Sequence, residues 1–328
     1  MIISKTPLRM SFVGGGSDLP GFYRKYGGAV VSVAIDKFMY ITVNQKFDNK
    51  IRISYSKTEE VSSIDEIEHK IFRECLRKVK IDGGVEITSI ADIPSHGSGL
   101  GSSSSFTVGL LHALYAFQHR YVTAHQLGAE SCEIEIDICG DPIGKQDQYA
   151  GAFGGFNFIT FNNDDTVDVQ PLICKRETIK SLEDGIIVFY TGVVRSAADL
   201  LKKQSADIIA DIEKQKLQQE MVKLSFTLRD ELQKNNVAAF GEILHENWLL
   251  KKSVNREVST NHIDDWYQRG LKAGAKGGKI LGAGAGGFLM FYAAPEYHEN
   301  IKKELAELRH IHVKFERQGS KIIFYHEN

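Results

Sequence analysis

The sequence predicts an α+β protein of two domains, and three observations carry that prediction. Strand-like and helix-like segments are mixed without strict alternation, which disfavours a doubly wound sheet. A glycine- and serine-rich turn, Pro94-Ser-His-Gly-Ser-Gly-Leu-Gly-Ser-Ser-Ser-Ser105, opens directly into Phe106–Phe117, an apolar run with no charged residue. Gly282, Gly284 and Gly287 satisfy a dinucleotide-like GxGxxG pattern, but Phe288-Leu-Met-Phe-Tyr292 follows and reads as a strand. A dinucleotide-binding unit needs a helix there, so the pattern marks a turn whose backbone approaches something closely. No GxxxxGK[ST] segment is present, which excludes a P-loop fold.

Taken in order, residues 2–45 read mostly as strands. Ile2-Ile3 and Met10–Val13 flank Pro7, and Ala29–Ala34 and Phe38–Val43 follow, with Gly14-Gly-Gly-Ser-Asp18 as a turn. Glu66–Val79 has helical periodicity, and Val85–Ile90 is a strand leading into the glycine-serine turn. The helix after that turn ends near His119. Thr123 caps a second helix that runs to about Cys139, where Gly140-Asp-Pro-Ile-Gly144 breaks it. Gly155–Phe161 alternates as a strand, with a hairpin turn at Asn162–Asp165. Strand Gly185–Tyr190 opens the second part of the chain. Helical patterns cover Ala197 to about Lys252 and Ile263–Ala273. Strands Lys279–Leu281 and Phe288–Tyr292, helix Pro295–Leu308, and strands around Val313 and Ile322–Tyr325 close it. The division expected is 1–175 and 176–328.

The chain has 328 residues, 42% of them apolar, enough for two medium domains with cores of their own. Net charge is −2 and the basic residues are dispersed, which gives no footprint for nucleic acid or a membrane surface. The first residues lack the cationic-then-apolar order of a signal peptide. Cys75, Cys132, Cys139 and Cys174 have no CxxC spacing, so reduced thiols in a cytoplasmic protein are expected.

A glycine-serine turn that opens a buried helix is an anion cradle. Glycines admit close backbone approach, and the first helical turn presents free N–H groups and the positive end of the helix dipole. A nucleotide phosphate suits it. Glu135-Ile-Asp-Ile-Cys-Gly-Asp-Pro-Ile-Gly-Lys-Gln-Asp-Gln148 places carboxylates at a helix end and in the turn beyond. Phosphoryl transfer to a hydroxyl needs positioning, a divalent cation, donors on the oxygens and often a carboxylate for the hydroxyl proton. A solvated helix end with an acidic loop is the plain structural alternative.

Taken together, four segments in this order resemble the GHMP kinase superfamily: Pro7-Leu-Arg with Gly14-Gly-Gly-Ser-Asp18, Gly99-Leu-Gly-Ser-Ser-Ser-Ser105, Gln146-Asp-Gln148 and Gly282-Ala-Gly-Ala-Gly-Gly287. The resemblance implies an N-terminal domain with a left-handed βαβ unit, a C-terminal ferredoxin-like domain, and ATP and Mg²⁺ in the cleft between them. It implies that Gly97, Ser98, Gly99, Leu100, Gly101, Ser102, Ser103 and Ser104 wrap the triphosphate. It makes Ser103 and Glu135 the metal ligands. Asp147 becomes the catalytic aspartate, with Arg9 beside it to keep it ionised. Gly15, Gly16, Ser17 and Asp18 meet the sugar, and Gly284 and Gly286 close over it. The Gly14–Pro20, Pro142–Gln148 and Lys279–Phe288 segments look like those of the heptose phosphate kinases. That implies phosphorylation of the anomeric hydroxyl of D-glycero-D-manno-heptose 7-phosphate to the 1,7-bisphosphate, on the way to nucleotide-activated heptose. Another GHMP sugar 1-kinase, fucokinase-like, and a non-catalytic sugar sensor are the alternatives. The partner expected is a small sugar phosphate, with a homodimer allowed. Arg195, before the capping-box-like Ser196 and Asp199, is the proposed receptor for the substrate phosphate. Lys5 and Arg24 are weaker ones. Lys145 reads equally as an electrostatic aid or a surface lysine, and His96 as a loop-ordering residue.

Overall fold

Two sheets organise the chain in the computed structural model, which describes residues 1–93, 97–193 and 211–326. The first sheet has eight strands. β1 (Ile2–Val13) and β2 (Gly28–Gln45) form its spine, antiparallel along their length. β1 runs straight through Pro7, where the expectation was two short strands. Proline has no N–H to give a ladder, and the register with β2 shifts there. β2 is long enough to serve two neighbours. Gly28–Val33 pairs with β6 (Phe156–Phe161), and Met39–Gln45 pairs with β5 (Val85–Ala91). β3 (Ile51–Ser54) and β4 (Thr58–Val61) form a hairpin beyond β5, and β7 (Val167–Pro171) pairs with β6. β3 and β5 pair in parallel, with α2 (Lys70–Val79) in the crossover.

The second sheet has strand order β11 (Arg309–Ile311), β8 (Ile186–Tyr190), β10 (Phe288–Tyr292), β9 (Gly277–Ile280), all antiparallel. Helices α7 (Ile212–Gln233), α8 (Phe240–Val254) and α9 (Asn261–Lys272) lie between β8 and β9 in sequence, and α10 (His298–Glu304) between β10 and β11. That order of strands and crossovers is ferredoxin-like. β12 (Lys321–Tyr325) then leaves this sheet and pairs with Ile2–Lys5 of β1. The segment 176–328 thus contributes its final strand to the first sheet.

Among the described residues the first half carries the helices α1 (Pro20–Tyr26), α2, α3 (Ser102–Phe117), α4 (Ala124–Cys132) and α5 (Gln146–Phe153). α6 (Arg176–Gly185) precedes β8. α1, α5, α6, β3 and β4 were absent from the reading of the sequence. α4 begins as expected, with Thr123 Oγ1 accepting from Gln126 N, and continues as a wider turn over Glu133–Ile138. α2 begins at Lys70 rather than Glu66, because Ile64–Glu66 forms a separate 3₁₀ turn.

One core lies under α2 and α3 against the first sheet, and another under α8 and α9 against the second. A third lies between the sheets and joins Leu8, Met10 and Phe12 of β1 to Val188, Leu281, Phe288 and Met290. Burying such a side chain contributes about 1.5–3 kcal/mol, so seven of them make this seam a core rather than a loose hinge. Arg9 lies between Leu8 and Met10 on β1, so strand alternation turns its side chain to the face opposite theirs.

Candidate active site

The glycine-serine turn ends at Gly101, the N-cap of α3, in the left-handed conformation at φ +77°. Gly97 and Gly99 also have positive φ. Ser105 N closes the first helical turn on Gly101 O at 2.9 Å. The amides before it lie in the segment where a helix has no acceptor of its own to offer. Of the turn's described serines, only Ser103 is exposed. Ser98 Oγ and Ser102 Oγ bond each other at 2.7 Å, and Ser104 bonds the Glu135 carboxylate; all three are buried. Leu100 is part of the seam core. Ser98, Leu100, Ser102 and Ser104 therefore shape the turn with their side chains and can meet a phosphate only through backbone. Ser103 can offer its hydroxyl.

Asp147 was expected in a turn. It lies instead in the first turn of α5, because Gln146–Phe153 is helical from the residue after Lys145. Arg9 grips it with both arms: Nε donates to Oδ1 and Nη2 to Oδ2, each at 2.7 Å. The remaining Arg9 arm, Nη1, donates to Gly99 O at 2.7 Å. A Cβ at Gly101 would stand 3.3 Å from both Arg9 Cγ and Asp147 Oδ2. The structure thus brings Asp147, Arg9 and the phosphate-loop glycines to one point. A bidentate guanidinium fixes the carboxylate plane.

Glu135 is fully buried in the wide turn after α4. Gln148 Nε2 donates to Oε2 at 2.6 Å, and Ser103 Oγ donates to Oε1 at 3.3 Å. Desolvation raises its pKa to about 7, and the neutral donors Gln148, Ser104 and Thr107 only partly offset that. A buried carboxylate beside an exposed hydroxyl is a hard-oxygen pair that suits Mg²⁺, an ion that keeps its remaining positions for phosphate and water. No group of three or more His, Cys, Asp or Glu side chains gathers as a ready metal cage among the described residues.

Asp18 is buried as well. Its Oδ1 accepts from Gly16 N, and its Oδ2 accepts from Gln146 N and Nε2. Burial, and then the charge of Asp147, raise its pKa. Three donors leave little of the carboxylate free for a sugar hydroxyl, so Asp18 ties the Gly14–Asp18 turn to the start of α5. Ser17, expected to touch the sugar, does not face outward. Its hydroxyl donates to Ala29 O and accepts from Ala29 N, both at 3.1 Å, and it has no exposed surface. Gly15 is not crowded: a Cβ there would make ordinary contact, at 3.9 Å, with Gln146 Nε2 and Ser11 Oγ.

The C-terminal glycine turn approaches the phosphate loop itself. A Cβ at Gly282 would lie 2.4 Å from Gly99 Cα, and one at Gly287 would lie 2.5 Å from Ser98 O. Gly284 and Gly286 face Val258 and Val193 in the same way, at 2.7 and 2.5 Å. Glycine is required at these positions first by packing against other chain segments.

Lys145 turns away from Asp147. Its Nζ donates to Asp165 O at 2.9 Å and lies over the Tyr23 ring. Arg24 pairs with the same Asp165, and Lys5 lies over Phe38. Arg195, Ser196, Asp199 and His96 lie outside the described residues. Two buried lysines that the sequence reading missed do reach the site. Lys251 of α8 donates to Gly282 O, and Lys279 of β9 donates to Ser11 O and Phe12 O at 2.9 Å. Both carry lowered pKa values, Lys251 to about 8, first through burial and then through neighbouring cations that include Arg9.

The GHMP kinases N terminal domain matches residues 67–155, and the GHMP kinases C terminal domain matches residues 228–310. The chain belongs to the GHMP kinase family. It is therefore a phosphotransferase that acts on an alcohol group. It is 29% identical to the D-glycero-alpha-D-manno-heptose 7-phosphate kinase of Campylobacter jejuni, over 93% of each chain. The crystal structure of a D-glycero-D-manno-heptose 1-phosphate kinase from Bacteroides thetaiotaomicron superposes with a TM-score of 0.81 at 27% identity, over 100% of both chains. A bifunctional fucokinase/GDP-fucose pyrophosphorylase of Arabidopsis thaliana is 24% identical over 94% of this chain and 31% of its own length. This GHMP kinase carries no described helix long and apolar enough to cross a membrane.

Proposed function

We propose that this GHMP kinase transfers the terminal phosphoryl group of ATP to the anomeric hydroxyl of D-glycero-D-manno-heptose 7-phosphate. The product is the 1,7-bisphosphate, an intermediate towards nucleotide-activated heptose. The observation that carries the reading is the Arg9–Asp147 fork set against Gly99 and Gly101. It joins a carboxylate able to receive a hydroxyl proton to a turn built for phosphate. The likeness to heptose phosphate kinases over the full chain supports the sugar.

In this reading the backbone of Gly97–Ser104 holds the triphosphate, and the N-terminus of α3 faces its charge. Ser103 Oγ and Glu135 would hold Mg²⁺. The ion supplies charge neutralisation on the phosphate oxygens. Asp147 takes the anomeric hydroxyl proton, and Arg9 keeps the carboxylate plane fixed while it does so. The Gly15–Gly16 side of the turn, where a Cβ at Gly15 would meet only ordinary contacts, receives the sugar.

A coupled assay of ADP release tests the substrate, run across free and 7-phosphorylated hexoses and heptoses. Highest kcat/KM on the heptose 7-phosphate is expected. Preference for unphosphorylated fucose would replace this reading with the fucokinase-like one, which the Arabidopsis relative favours. Sugar and ATP binding without ADP release would indicate a sensor.

A further inference from the structure

Lys251 is a buried ammonium held by one neutral partner. Its Nζ donates to Gly282 O, and among the described residues no carboxylate forms an ion pair with it. An ammonium carries three donors, so two remain for a ligand. The partner carbonyl belongs to the residue that packs on Gly99, and Gly99 O receives the third arm of Arg9. Lys251 and Arg9 therefore flank the Gly99–Gly282 contact between the two glycine turns. Lys279 stands behind them, also on carbonyls alone. Asp147 is taken up by Arg9, and the donors on Asp18 come from Gly16 and Gln146 rather than from Lys251. Among the described residues Lys251 thus has no hydrogen-bonded anion, and a buried amine in that setting is completed by an anionic ligand.

A second observation points the same way. One turn before Lys251 on α8, Asn247 accepts from Gly14 N at 3.1 Å through Oδ1. Its Nδ2 is buried and has no partner. Residues four apart share a helix face. So one face of α8 presents an ammonium with one of its three donors used and an amide donor with no partner, both buried, between the Gly14–Asp18 turn and the Gly282–Gly287 turn.

We propose that Lys251, with Asn247, binds a phosphoryl oxygen in the closed ternary complex. The oxygen comes either from the phosphate carried by the sugar or from the terminal phosphoryl group of the nucleotide. This rests on the proposed kinase reading for the first source and on family membership alone for the second.

Lys251→Met and Lys251→Arg in the full chain test it. The readings are steady-state kinetics on phosphorylated and free heptose, calorimetric affinity for Mg²⁺ with a non-hydrolysable ATP analogue, and the thermal midpoint. Removing a charged hydrogen bond to a ligand is expected to lower kcat/KM about tenfold or more in Lys251→Met, with Lys251→Arg retaining most of it. If the sugar phosphate is the source, the loss appears only on phosphorylated acceptor and analogue affinity is unchanged. If the nucleotide is the source, both acceptors lose equally and analogue affinity falls. Loss of an unpaired buried cation should leave the midpoint unchanged or raise it. Kinetics and affinity within twofold of wild type would overturn the proposal. So would a midpoint lowered by several degrees in Lys251→Met, or a variant that does not fold, since Lys251 would then be only a tie to Gly282. If the wild type accepts no sugar phosphate, the proposed substrate fails, and the analogue arm alone decides the role of Lys251.

Discussion

Glu135 and Asp147 are carboxylates in opposite settings. Asp147 is met by a guanidinium on both oxygens, whereas Glu135 is met by an amide and hydroxyls in full burial. In the metal-free protein Glu135 ionises near 7, against 4.5 for an ordinary glutamate. Its proton is held more tightly folded than unfolded. The stability it contributes is complete below about pH 4.5 and is lost as pH rises through 7. A shift of that size corresponds to about 3 kcal/mol. Metal-free Glu135→Gln should therefore unfold at higher temperature than wild type at pH 8, with the gap closing towards pH 5. Thermal unfolding across that range checks it, and a gap that widens on acidification would contradict it. Asp147→Asn should lower kcat by about 10²-fold or more while leaving the fold intact, measurable by ADP release together with circular dichroism. Arg9, Ser103, Glu135 and Asp147 could be singled out in the sequence because they match positions in the segments that resemble those of GHMP kinases. Lys251 could not. A lysine in the last turn of an amphipathic helix reads as solvated, and only the meeting of α8 with the Gly282 turn buries it. Ser17 misled for the converse reason: it lies in the right turn but faces Ala29.

The glycine turns act as packing surfaces at the scale of elements. Gly140 and Gly282 have nearly the same φ, +73° and +70°, but a Cβ at Gly140 meets nothing within 4 Å. Gly140→Ala should cost about 1–2 kcal/mol, the penalty of a left-handed non-glycine residue. Gly282→Ala adds a clash with Gly99 Cα and should cost clearly more, and it should also weaken nucleotide binding. Chemical denaturation of both variants gives the difference. Equal costs would mean that the Gly99–Gly282 contact is slack. The turn that looked dinucleotide-like was readable as a decoy because the strand after it was strongly apolar. Helix α5 was not readable: Gln146–Phe153 is short, contains Gly151 and has no clear polar face. Its start is set by Asp18, which binds Gln146 from 128 residues away.

The two sheets are joined by the seam core, by Lys279 on the β1 carbonyls and by β12 on the edge of β1. Removing residues 320–328 should lower the thermal midpoint by several degrees and loosen the first sheet most. Trp248 and Trp266 both lie in helices of the second half, so their fluorescence should follow the loss later than backbone circular dichroism does. Coincident transitions, unshifted from wild type, would show that β12 adds nothing. The pairing of β12 with β1 could not be foreseen, because period-two patterns fix a strand but not its neighbour. Met1 N and His326 O bond across 325 positions. During synthesis the first strand therefore leaves the ribosome long before its outer partner exists. At about 5–20 residues per second, its bare edge waits for tens of seconds. For that interval Ile2–Lys5 is an open docking rail for other chains, and the cell's protection of this protein against clumping matters most while the polypeptide is still unfinished.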